Sequence, residues 1–227
     1  MFTITKKSLS IALLMSAFTS LTVNATIIDF TGGIAHLDGG GTSVVGINTL
    51  DSNVDYYEEN GFRLDFIGGV GAVGDYYGAS NGVIHGHWQT GDFGALTEIR
   101  VSKIDGSAFD LNYFIMTSNT DTGGSSASGN EEAYIHASTD GVNISSSQSL
   151  PTDNWGFSGT NPQVFLGSAF DSIKYFSFTV NNSVDCFGMD NFYIDEPAPV
   201  GVPEPAPLGL LGLAFIALGL RRFKSSK

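Results

Sequence analysis

Cysteine is all but missing from this chain of 227 residues, which has Cys186 and no other. A lone thiol cannot close an intramolecular disulfide, so the fold has to stand on its hydrophobic core. Cations are scarce as well: ten Lys and Arg face 23 Asp and Glu, a formal net charge of −13. The middle is more acidic still, because six of the ten basic residues (Lys6, Lys7, Arg221, Arg222, Lys224 and Lys227) stand at the ends. Residues 26–202 hold four basic and 22 acidic side chains, a balance of −18. Binding to a phosphate backbone relies on Lys and Arg displacing counterions, so nucleic acid is excluded as a partner. No P-loop and no zinc-protease helix motif occurs either.

What is present divides into three parts. Met1–Ala25 opens with Lys6 and Lys7, continues through the apolar run Leu9–Phe18 and closes on Val23-Asn24-Ala25. A positive n-region, a short apolar h-region and small residues at the end make a secretory signal peptide, with cleavage after Ala25. At the other end, Pro203-Glu204-Pro205 precedes the uncharged stretch Ala206–Leu220, which is followed at once by Arg221 and Arg222. That stretch falls short of the roughly 20 residues of a full-length membrane helix, yet it reads as a stop-transfer segment. The positive-inside rule keeps its basic tail in the cytoplasm and the acidic body outside.

Pro203, Glu204 and Pro205, then Leu208–Leu220, then Arg221 and Arg222, in that order, resemble the PEP-CTERM sorting signal of Gram-negative bacteria, also described as an ice-binding-protein C-terminal signal. The resemblance implies an exosortase as processing partner, removal of the tail near Pro-Glu-Pro, and export to the cell surface or extracellular matrix together with exopolysaccharide. It covers 203–227 alone, after a short linker at 197–202, and leaves the 26–196 body to be read from its residues.

That body reads as all-β. Short apolar runs bounded by Gly, Asn, Asp and Ser place strands at Ile27–Phe30, Phe62–Ile67, Val83–Trp88, Ala95–Ile104, Phe109–Thr117, Ala133–Ser138, Gln163–Leu166, Ile173–Val180 and Phe187–Ile194. Phe176, Phe178 and Val180 alternate with Tyr175, Ser177 and Thr179, and Ile99 and Val101 share the core face. Such a set predicts an antiparallel β-sandwich of seven to ten strands, jelly-roll-like in arrangement. Gly32–Asn60 and Thr117–Asn130 read as long polar loops.

The opening Ile27–Gly32 and the closing Phe187–Asp195 are similar to the first and last strands of exported jelly-roll modules, including carbohydrate-binding ones. In such modules these strands lie near each other and share a calcium ion. The resemblance carries that role to Asp29 and Asp190. Read from the residues alone, the same two carboxylates fit bonds to backbone amides at strand ends.

Candidate chemistry is sparse. His85 and His87 stand at i and i+2 on one face of a strand, spaced to grip zinc or copper if His36, His136 or Asp92 joins them, and equally suited to a polar sheet face. Glu131 and Glu132 point to opposite faces and cannot flank one glycosidic bond. Cys186, beside Asp185, reads as a buried structural thiol. Aromatic side chains in Gly/Asn/Asp-rich surroundings, Tyr56, Tyr57, Tyr76, Tyr77, Trp88 and Trp155, offer sugar-stacking rings, with Tyr76, Tyr77, Trp88 and Trp155 the preferred platform. The leading expectation is a non-enzymatic, carbohydrate-binding surface or matrix protein. A secreted glycan hydrolase or lyase on the same scaffold is the alternative, and ice binding is disfavoured because no regular array of Thr occurs.

Overall fold

The computed structural model describes residues 25–46, 49–77, 83–91, 94–121, 132–152, 161–181 and 184–196. The chain divides into two units, Met1–Glu196 and Pro197–Lys227. The second unit, with Pro203, Glu204, Pro205, Arg221 and Arg222, lies outside the described residues, as do residues 1–24. Among the described residues there is no α-helix, and no helix is long and apolar enough to cross a membrane.

The described residues form fourteen strands: β1 (Thr26–Ile28), β2 (Ile34–Leu37), β3 (Thr42–Val44), β4 (Leu50–Glu59), β5 (Phe62–Gly68), β6 (Gly74–Tyr77), β7 (Val83–His87), β8 (Leu96–Lys103), β9 (Leu111–Asp121), β10 (Glu132–Ser138), β11 (Ser146–Ser149), β12 (Gln163–Phe165), β13 (Tyr175–Asn181) and β14 (Val184–Ile194). They join in one sheet of order β11-β10-β13-β8-β5-β4-β6-β7-β14-β9-β12, with β1 on β14 and β2–β3 on β4. The strand pairings are antiparallel.

The sheet curls until its two halves face each other. Phe178 on β13 touches Phe187 and Phe192 on β14 and Phe114 on β9, with ring centroids 5.4, 6.0 and 5.3 Å apart, although β13 stands far from both strands in sheet order. Phe176 meets Phe192 at 5.0 Å. Each such ring buries roughly 150–250 Å² and supplies a large share of the core's stabilisation. Phe176, Phe178 and Val180, and Ile99 and Val101, are buried as expected, but on β13 the alternating Tyr175 and Ser177 are buried too, so that strand is covered on both faces over Tyr175–Phe178.

β4 makes the turn between the halves. Its C-terminal part pairs with β5 and β2, and its N-terminal part pairs with β6. Between Asp51 and Val54 the register shifts, and Asn53 takes φ = 60° there. A bulge of this kind bends and twists a strand, which lets one strand serve two layers. The stretch Gly32–Asn60 is therefore not a loop; it holds β2, β3 and β4. Acidic residues such as Asp51, Asp55, Glu58 and Glu59 masked β4, since carboxylates are poor strand formers. Its end did carry a signal: Asn60 and Gly61, with φ of 49° and 83°, form the two-residue turn between β4 and β5 that Asn-Gly favours. β9 likewise runs on to Asp121, through the start of the second expected loop, whose remainder at 122–130 lies outside the described residues.

Candidate functional site

On the outer face of the β1–β14–β9–β12 region one row of side chains runs across four strands. Ile27 pairs with Tyr193, Tyr193 with Tyr113, and Tyr113 with Phe165. Their neighbours in sequence explain the orientation: Ile28, Phe192, Ile194, Phe114 and Val164 are buried in the core, so the alternating partners must point outward. Tyr113 and Tyr193 stack at 3.9 Å and 13°, and Phe165 leans on Tyr113 at 5.5 Å. Ile27 and Phe165 are 38% and 49% exposed, far above the core level, so the row is open to solvent at both ends. Strand spacing makes it roughly 14 Å long. The Tyr113 phenol is raised above its ordinary range by burial, by Tyr193 and by the Glu196 carboxylate, with a hydrogen bond between the two phenols adding to it. Tyr113 and Tyr193 cover each other's faces, so what the row offers a sugar is the exposed ring of Phe165, with the phenol edges and hydroxyl groups of the tyrosines alongside to exchange hydrogen bonds.

The aromatic residues favoured from sequence are placed elsewhere. Trp88 is fully buried and meets Phe187 edge-on at 6.4 Å, so it is a core residue with no face for a sugar. Tyr76 is also fully buried, and its hydroxyl donates to the Phe30 carbonyl at 2.6 Å. Tyr57 is buried against Phe30. Tyr56 is half-buried, but His36 stacks on one side at 4.0 Å and the Arg63 guanidinium lies 3.8 Å from its ring, so both ring faces are engaged. Trp155 and the side chain of Tyr77 lie outside the described residues. Gly-rich flanks marked these rings as loop-borne, whereas the glycines allow close packing: a Cβ on Gly74 would strike the Phe66 ring, and one on Gly86 would strike Leu96.

A second polar cluster lies where β1, β4 and β14 meet. Glu59 is buried and accepts from the Phe30 amide at 3.0 Å, the Tyr57 hydroxyl at 2.9 Å and the Asp29 amide at 3.4 Å. Burial, with help from the nearby Asp29 carboxylate, pushes it up to about 7 against the pull of these donors. Asp190 is also buried and is pushed up to about 7, chiefly by burial, with Asp29 adding and the Asn191 amide opposing. Its Oδ1 has no hydrogen-bond partner among the described residues. Asp29 is exposed and caps its own turn, accepting from the Thr31 amide at 3.0 Å. β1 and β14 are direct neighbours, and the expected pair Asp29 and Asp190 stands within electrostatic reach, with Glu59 as an unforeseen third carboxylate.

The imidazoles are dispersed. His36 faces Glu58 at 3.5 Å, and His136 bridges Ser147 and Thr179 at 2.7 and 2.8 Å, so neither reaches His85 or His87. His85 and His87 do share one face of β7, with ring centroids 5.3 Å apart. Burial, reinforced by His87, lowers His85 to about 4 and keeps it neutral near pH 7. Asp92 and Glu131 lie outside the described residues, and Glu132 is exposed.

No family model matches the chain. No curated protein matches it either. Among solved structures it is similar to a chain described as "Carbohydrate binding module family29", at 14% identity over 80% of this chain and 100% of that one, with a TM-score of 0.39. It is also similar to a DUF4465 family protein from Bacteroides caccae ATCC 43185, at 12% identity over 62% of this chain and 76% of that one, with a TM-score of 0.35.

Proposed function

We propose that this is an exported surface or extracellular-matrix protein of a Gram-negative bacterium whose jelly-roll-like β-sandwich binds exopolysaccharide through the row Ile27–Tyr193–Tyr113–Phe165. The observation that carries the binding reading is the row itself: three aromatic rings and an isoleucine in register across four strands, partly open to water. Scattered exposed apolar residues are ordinary, but a contiguous aromatic row marks a binding surface. Its length suits an oligosaccharide of a few rings better than a single sugar. A body of charge −18 repels polyanions, so the favoured ligand is a neutral or weakly acidic glycan.

Export rests on the N-terminal Lys6–Ala25 pattern, and sorting by an exosortase rests on Pro203-Glu204-Pro205, the apolar stretch and Arg221-Arg222. The membrane is in this reading a temporary partner, holding the precursor at the inner membrane until the tail is removed. The test is retention of the full chain on a panel of immobilised neutral and acidic glycans. A Tyr113→Ala/Phe165→Ala variant should lose the retention that the wild type shows. Equal retention of both would remove the row from the function, and release of new reducing ends from any glycan would assign the hydrolase alternative instead.

A further inference from the structure

Cys186 is not the inert core thiol that its sequence surroundings suggest, because it lies half-buried beside both histidines of β7. In the β7–β14 pairing Cys186 stands opposite His87, and Gly188 stands opposite His85. Phe187 is buried, and a Cβ on Gly86 would enter the core at Leu96 and Ile99, so His85, His87 and Cys186 must all project to the other face. Gly188 adds no side chain beside His85. One donor atom from each of His85, His87 and Cys186 lies within 4.8 Å of the others. Asp75 on β6 stands opposite His85 in register, and its Oδ2 is 3.1 Å from His87 Nε2.

We propose that His85, His87 and Cys186 bind one borderline-soft divalent metal ion, zinc or copper, with Asp75 as the positioning residue for His87. Two imidazoles and a thiolate are a donor set for these metals, whereas magnesium and calcium prefer oxygen. Tetrahedral zinc needs its donors about 3.5 Å apart, close to the 4.8 Å within which the three donor atoms already lie. Carboxylates that hold a ligating imidazole fix its ring and tautomer, which is the relation of Asp75 to His87. On binding, the Cys186 thiol gives its proton to solvent and its sulfur bonds to the metal as thiolate. Three protein donors leave a fourth position for water or another ligand. This inference is independent of glycan binding, since the aromatic row shares no residue with the cluster.

The test uses the full chain, stripped with chelator and titrated with Co(II), Zn(II) and Cu(II) in turn. One equivalent of Co(II) should produce a thiolate-to-metal charge-transfer band in the near ultraviolet, lost in Cys186→Ser and in His85→Ala/His87→Ala. Zinc should raise the melting temperature by about 5–10 °C at a hundredfold excess over Kd, and calcium should not reproduce this. Displacement of cobalt by zinc but not by copper identifies zinc as occupant, and an intense visible thiolate band with Cu(II) that survives zinc competition identifies copper. In chelator, the metal-free Cys186→Ser variant should melt with the wild type, which separates loss of binding from loss of fold. Absence of the cobalt band, or equal zinc stabilisation of wild type and Cys186→Ser, would overturn the site.

Discussion

Tyr113 and Tyr193 lie face to face at 3.9 Å, brought together by the pairing of β9 with β14, strands far apart in the sequence. Their stack joins Ile27 on one side to Phe165 on the other and turns four separate strands into one surface. A residue of this row and a residue one position away can therefore have opposite duties.

Phe165 is about half exposed and Phe114 fully buried, on paired strands. Phe114→Ala should cost about 3–5 kcal/mol of stability. Phe165→Ala should cost less than about 1 kcal/mol yet weaken glycan retention several-fold. Denaturant unfolding beside glycan affinity chromatography checks the split.

Glu59 and Asp190 should make the protein more stable in mild acid than in mild base. Both are pushed up to about 7 in the folded state, against ordinary values near 4 when unfolded. Between these limits the folded state holds the protons and the unfolded state does not, so stability is fully present below about pH 4 and declines as pH rises through 7. From pH 5 to pH 8 the loss should be on the order of 2–3 kcal/mol for each of the two groups. Melting temperatures across that range check it, and Asp190→Asn should flatten the slope.

Calcium bears on the same carboxylates. If Asp29 and Asp190 share an ion, with Glu59 behind them, its charge offsets their mutual repulsion, and millimolar calcium should raise the melting temperature at pH 8. The rise should vanish in Asp190→Asn. An unchanged melting temperature on adding calcium or chelator to the wild type would count against the ion.

Gly68→Ala should destabilise by roughly 2 kcal/mol or more. An added methyl would overlap the Ala95 carbonyl, and that carbonyl is held by the Gly69 amide at 3.0 Å. Backbone so fixed has no cheap way to move aside. Chemical denaturation of the variant gives the value directly.

Processing of the C-terminus is open to mass spectrometry. In a host with an exosortase the released protein should lack Arg221 and Arg222, and Glu204→Ala should impair the cut while leaving insertion of the apolar stretch unaffected. An intact terminus at Lys227 in that host contradicts the sorting proposal.

Strand alternation was readable on β8, where Ile99 and Val101 are buried and Arg100 and Ser102 are not, because burial of one face imposes a period of two on the residue types; on β13 Phe176 and Phe178 were readable although Tyr175 and Ser177 are buried too. β4 hid itself, since its carboxylates and the bulge at Asn53 break that period. Glycine misled in the other direction: Gly74 looked like a loop former, and it is a flat place against which Phe66 packs. Acidity and the all-β body followed from composition and order along the chain, which depend on no distant neighbour. Which aromatic side chains face water depended on tertiary structure, because Trp88 and Tyr113, both within runs read as strands, differ in the side of the sheet they occupy. The meeting of Tyr113 with Tyr193, and of Cys186 with His85 and His87, depended on it for a further reason: register across strands distant in sequence is set by the core that forms around them.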